Sequence, residues 1–154
     1  MENIELLFPL TNFEFGEIYK GLFIRKDLNV TVKIYNGRTD SHEHFLFREN
    51  LIANEIEALK NLKHNNIVKL LCICTQTEPK LVVTEYMSNG TLLNYLKMGI
   101  GAKFTLKEII NVAWQIADGM KHMEEKKWVH RDLGTRNVFV GDNDVFKSKL
   151  VFVF

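Results

Sequence analysis

The sequence predicts an α+β fold, and three observations carry that prediction. Short β-like runs fill the first part of the chain, one helix-periodic segment interrupts them, and a long capped helical stretch begins at Thr105. With 154 residues, 46% hydrophobic and 25% charged, the chain has globular composition and enough apolar material for one domain with a core.

The first β-like runs are GEIYKGLFI and NVTVKIY, with RKDL as the turn between them. In VTVKIY, alternation puts Val30, Val32 and Ile34 on one face and Thr31 and Lys33 on the other. A lysine at that place reads as a solvated position or as part of a site. The segment FLFRENLIANEIEALKNLKH has helical period, with Leu51, Glu55, Leu59 and Leu62 on one stripe. If Glu55 is buried within that stripe it needs a cation from another element; at the stripe's edge it reaches water instead.

Two further strand-like runs, NIVKLLCICT and KLVVTEYM, are separated by QTEP, and SNGTLLNYL leads through turn residues into a short helix. TLKEIINVAWQIADGMKHMEE then opens with Thr105 and Glu108 three residues on, a capping box. Ile109, Val112, Ala113, Ile116, Met120 and Met123 form its stripe, with Ile110, Trp114 and Ala117 beside it. So broad an apolar face predicts burial on more than one side. There is no internal repeat and no low-complexity segment.

Composition excludes several function classes. Twenty basic against nineteen acidic residues leave a formal net charge of +1, so no single-sign field points to nucleic acid or an anionic membrane surface. Cys72 and Cys74, two apart in an apolar run, would share one face of a strand as reduced core thiols, and the five His supply no spacing for a metal site. Reduced thiols fit a reducing compartment. The start, MENIELLFPLTNFEF, lacks a basic region and a long apolar run, and no window nears 18 apolar residues. These features predict a cytoplasmic location without a transmembrane segment, or the intracellular part of a receptor.

After the long helix comes HRDLGTRN, which packs His130, Arg131, Asp132 and Asn137 into a loop before the strand-like VFV. An Asp and an Asn five apart could place a proton acceptor near a hydroxyl and an amide oxygen near a metal ion; a purely structural polar loop is the other reading. HRDLGTRNVFV resembles the catalytic loop of protein kinases, H-R-D-L-x-x-x-N. Four more segments match in the family's order: FGEIYKG the end of the Gly-rich loop, VTVK the lysine strand, NEIEALKNLKHNNIVKLL the C-helix and its glutamate, and LVVTEYMSNGTLLNYL the last N-lobe strand, the hinge and the next helix. Gly134 stands where kinases acting on Ser/Thr commonly carry Lys, and Arg136 follows two residues later, which is similar to tyrosine kinases.

The resemblance implies a kinase-like fold: a five-stranded antiparallel N-lobe with the C-helix over residues 1–85, a hinge at 86–90, and an incomplete, mainly helical C-lobe at 91–154. It implies phosphoryl transfer from ATP to protein tyrosine, with ATP and Mg2+ as cofactors and a protein substrate or a kinase partner. By position, Lys33 would hold the α/β-phosphates with Glu55 as its ion-pair partner, Asp132 would accept the substrate hydroxyl proton, Arg136 would accompany it, and Asn137 would hold magnesium. Gly16, Ile18, Thr31 and Phe139 would border the nucleotide, Thr84 would be the gatekeeper, and Glu85 and Met87 would offer hinge backbone to adenine.

The pattern also fails in places. Thr11 and Phe13 stand where the first two glycines of the Gly-rich loop belong, so only Gly16 remains and the phosphate cradle is expected to be hindered. Thr31 and Phe139 replace an Ala and a Leu on the faces that sandwich the purine. Leu150, Val151 and Phe152 occupy the place of D-F-G, removing one magnesium-binding Asp together with the activation segment. Phosphotransfer by this chain alone is therefore expected to be weak or absent, reduced on the order of 10³-fold or more. The rival reading is a pseudokinase-like binding module or a truncation product without function. With the remaining C-lobe helices missing, an exposed apolar patch on the Thr105 helix is expected, and the β-prone tail VFKSKLVFVF is an aggregation hazard if unpaired.

Overall fold

In the computed structural model, residues 3–36, 41–99 and 104–150 are described. The predicted alternation of β3 (Leu28–Tyr35) is present: Val30 and Val32 are fully buried on one face, with Ile34 beside them. That face defines the core of a five-stranded sheet in which β3 is central. The order is β1 (Ile4–Phe13), β2 (Gly16–Phe23), β3, β5 (Lys80–Glu85), β4 (Leu70–Cys74), and every neighbouring pair is antiparallel. Val30, Val32, Ile34, Leu81 and Val83 form the cluster, with Cys72 and Cys74 packed against it from β4. Both thiols are free and only half-buried, at the margin of the core and not inside it as expected, and burial raises the pKa of Cys72.

β1 does not stand out in the sequence because Pro9 interrupts it. Pro9 lies on an edge strand, the place in a sheet where proline is tolerated, and the pairing register with β2 shifts on both sides of it. The β2–β3 connection is a 3-10 turn at Ile24–Lys26 closed by Asp27 in the left-handed region.

α1 (His42–Asn61) begins three residues before the periodic segment, with the Ser41 hydroxyl accepting from the His44 N–H. Its buried line includes Ile52, Glu55, Ile56, Ala58 and Leu59, while Leu51 is half-buried. Lys80 of β5 pairs with Glu49 of α1, and Arg48 reaches Glu78 at 3.1 Å. Burial works to raise the Glu49 pKa, but Lys80 and Arg48 outweigh it and hold the carboxyl below its ordinary value.

The chain forms two compact units, Met1–Ile56 with Leu70–Tyr86, and Glu57–Lys69 with Met87–Phe154. The second holds α2 (Leu92–Lys97), capped by Thr91, and α3 (Leu106–Glu125), whose Thr105–Glu108 capping box is closed in both directions. A short hairpin of β6 (Val138–Val140) and β7 (Phe146–Ser148) packs Val138, Val140 and Phe146 against Leu92 and Val112. The tail is thus paired through Ser148; Val151 to Phe154 lie outside the described residues.

The burial of α3 differs from the predicted stripe. Its buried residues are Val112, Gln115, Gly119 and Met123, whereas Ile109 and Ala113 are exposed. The buried line follows period 3.6 through a glutamine because Gln115 finds hydrogen-bond partners, and the helix closes on the backbone of Asn66 at Gly119, where an added Cβ would stand 2.8 Å from Asn66 O. The other side of α3 presents apolar groups to solvent, Leu106 at 73% exposure and Trp114 at 62%. Among the described residues no helix is long and apolar enough to cross a membrane.

Candidate active site

In the first unit, strand register decides which side chains meet. Ile18 lies opposite Lys33 and Lys33 opposite Val82; Thr31 pairs with Thr84, and Gly16 with Tyr35. Gly16, Ile18, Thr31, Lys33 and Thr84 therefore share one face of the sheet, the face away from the apolar cluster. Glu85 lies opposite Val30 and belongs to the other face. Lys33 Nζ meets Glu55 Oε2 of α1 at 2.7 Å, with the carboxylate almost fully buried. The cation that a buried Glu55 requires is thus the lysine two residues after Thr31.

Tyr35, which the sequence reading did not single out, completes this group. Its hydroxyl donates to Glu55 Oε2, and burial first, then the Glu55 charge, raise its pKa well above the ordinary phenol range. Tyr35 thus stays a neutral donor. Its signal in the sequence is the period of two that places it on the face of Lys33.

In the second unit the polar loop is tightly organised. Asn137 Nδ2 donates to the backbone oxygen of Asp132 at 2.8 Å and to its Oδ2 at 2.7 Å, while Arg136 donates to Oδ1. Both carboxylate oxygens accept from within the loop, which fixes the carboxylate plane. A 3-10 turn at Thr135–Asn137 and the Asn137 N–H bond to Gly134 O make that geometry possible. Arg131 has φ 64°, an uncommon left-handed conformation for a non-glycine residue. Phe139 is half-buried on β6, bridged to Thr91, with the Lys149 ammonium 5.8 Å from its ring centre. Met87 is buried, its methyl group is close to Gly141, and its carbonyl accepts from the Gly90 N–H at 3.2 Å. Leu150 is only 6% exposed.

These two constellations are accompanied by a sequence match. The family described as protein tyrosine and serine/threonine kinase matches residues 4–148. The chain belongs to this kinase family. It is 39% identical over 144 residues to the tyrosine-protein kinase Src64B of Drosophila melanogaster, covering 94% of this chain and 25% of the relative. It is 38% identical over 146 residues to the tyrosine-protein kinase SRK2 of Spongilla lacustris, covering 95% and 38%. With the tyrosine-protein kinase ABL2 of Mus musculus it shares 37% identity over 145 residues, covering 94% and 12%. The kinase chain thus spans well under half the length of these relatives. Its five-stranded antiparallel sheet with α1 and the following helices is the α+β architecture expected from the resemblance.

His130, the first residue of the kinase-like loop, is buried, and burial pulls its pKa below the ordinary value; the backbone around Lys149 and the Asp132 charge oppose the shift without cancelling it. Because the folded pKa lies below the unfolded value of about 6.5, the unfolded state binds the proton more readily. Stability from this group is fully present above pH 6.5 and is lost as pH falls below it. His130→Phe should flatten the decline in urea midpoint between pH 7.5 and pH 5.5. An unchanged decline in that variant would assign the pH dependence to other groups.

Proposed function

We propose that the chain is part of a protein tyrosine kinase domain, with residues 1–85 as N-lobe, 86–90 as hinge and 91–154 as part of the C-lobe, and that its Lys33 face is a nucleotide-phosphate site. The Lys33–Glu55 ion pair carries the reading. A lysine held by a buried glutamate keeps its ammonium at a fixed place, ready to meet an anionic phosphate without first paying side-chain entropy. Gly16, Ile18, Thr31 and Thr84 border the nucleotide from the same face, Phe139 covers the purine, and Glu85 and Met87 supply hinge backbone. ATP, when bound, supplies the transferred phosphoryl group. Asp132 accepts the tyrosine hydroxyl proton, with Arg136 and Asn137 holding its carboxylate in place.

Magnesium fits less well. Among the described residues no three His, Cys, Asp or Glu side chains gather as ligands, and the buried Leu150 stands where the family has its magnesium-binding Asp, which leaves the amide oxygen of Asn137, whose Nδ2 donates to Asp132, as the remaining ligand by position. The donors present do not make a metal clamp, which supports weak or absent phosphotransfer by this chain and gives the pseudokinase-like binding reading its specific observation. Phosphotransfer that disappears in Asp132→Asn would exclude that second reading.

The nucleotide site is tested by thermal unfolding with and without millimolar MgATP, with Lys33→Met as control. A ligand at its dissociation constant stabilises by RT ln 2, about 0.4 kcal/mol, and at 100 times that concentration by about 2.7 kcal/mol. The wild-type transition is expected to rise and the control to stay. Equal rises in both would overturn the assignment of Lys33.

A further inference from the structure

Phe13 stands in the row Phe13, Gly16, Tyr35 that runs across β1, β2 and β3. Gly16 has no side chain, and a Cβ there would sit 1.8 Å from Ile34 O, so the middle of the row is necessarily empty. The rings on either side meet over it edge to face, with centres 5.2 Å apart at 84°. Both rings border the same cation: Lys33 Nζ is 4.6 Å from the Phe13 ring centre and 4.8 Å from that of Tyr35. Two residues after Phe13, Phe15 in the two-residue turn between β1 and β2 is buried and packs on Phe47 of α1, ring centres 5.8 Å apart.

We propose that Phe13 is the residue that decides whether a nucleotide reaches Lys33: its ring closes the β1–β2 turn over the ammonium, and the Phe15–Phe47 contact holds that turn shut. A cation over an aromatic face is already partly satisfied, and a phosphate approaching Lys33 has to displace the ring. The rings and the Glu55 carboxylate together surround Lys33 with groups of this chain where a phosphate cradle would offer backbone N–H groups. The inference rests on the Lys33 face being a nucleotide-phosphate site, and it adds that the site is self-occupied and can be opened.

The test is the MgATP dependence of thermal unfolding for wild type, Phe13→Gly and Phe47→Ala. Phe13→Gly is expected to lower the MgATP concentration needed for a given rise by on the order of tenfold, between the sizes of an exposed and a fully desolvated cation–π contact. Phe47→Ala removes the holding contact without touching Lys33; Phe47 is 40% exposed, so the fold should tolerate its loss, and a smaller shift in the same direction is expected. This second variant decides the matter if Phe13→Gly does not fold. If wild type responds to MgATP and both variants respond at the same concentrations, the latch is overturned and the nucleotide site stands. If neither wild type nor variants respond, the nucleotide site falls and the latch with it.

Discussion

Glu55→Leu is expected to destabilise the chain by about 3 kcal/mol, the lower end of the range for breaking a buried ion pair, because Lys33 keeps some contact with water. The loss has two sources. Lys33 is left as an ammonium beside two rings with no counter-charge, and the buried Tyr35 hydroxyl loses the carboxylate it donates to. Adding Lys33→Met removes the stranded cation, so the double variant should be at least about 1 kcal/mol more stable than the sum of the two single losses. Urea denaturation of the four proteins measures this coupling. Additive losses would mean that the pair is effectively solvated, and the argument for a held ammonium would fail. Since Tyr35 stays neutral, the loss in Glu55→Leu should be the same at pH 7 and pH 8.5.

Much of this arrangement is legible in the residues themselves. Period two in VTVKIY fixes the two faces of β3, and a glutamate inside the helical stripe of α1 demands a cation. The Thr105 capping box is local chemistry, so the sequence spacing is sufficient to place it. What is not legible depends on contacts distant in sequence. β1 is hidden by Pro9, which only an edge position excuses. Tyr35 gains its role through a carboxylate twenty residues on, and Phe13 gains its own through an empty glycine in the neighbouring strand. Period alone assigned Ile109 and Ala113 to the buried side of α3 and passed over Gln115, since a polar residue on a buried line is explained only by partners that the helix does not contain.

Those partners make Gln115 the second large effect. Its Oε1 accepts from Asn66 Nδ2 and from the Phe146 N–H, both at 2.9 Å, and its Nε2 donates to the Asp144 carbonyl at 2.9 Å. Asn66 in turn donates to Phe146 O at 2.8 Å and accepts from the Ser148 N–H, so one glutamine joins α3, the residues after α1 and the β6–β7 hairpin. Gln115→Met keeps the volume and removes every polar atom. The fully buried Phe146 N–H then has no acceptor and Asn66 loses one of two, which at about 1–3 kcal/mol for an unsatisfied buried group predicts a loss of about 2–4 kcal/mol. Amide exchange should speed up at Phe146 and Ser148 before it does in β3, because the hairpin is tied down by this network and the sheet is not. A loss below 1 kcal/mol, or exchange that rises equally in both units, would mean that Val138, Val140 and Phe146 hold the hairpin by apolar packing alone. In that case the buried placement of Leu150, two residues past β7, would owe nothing to Gln115.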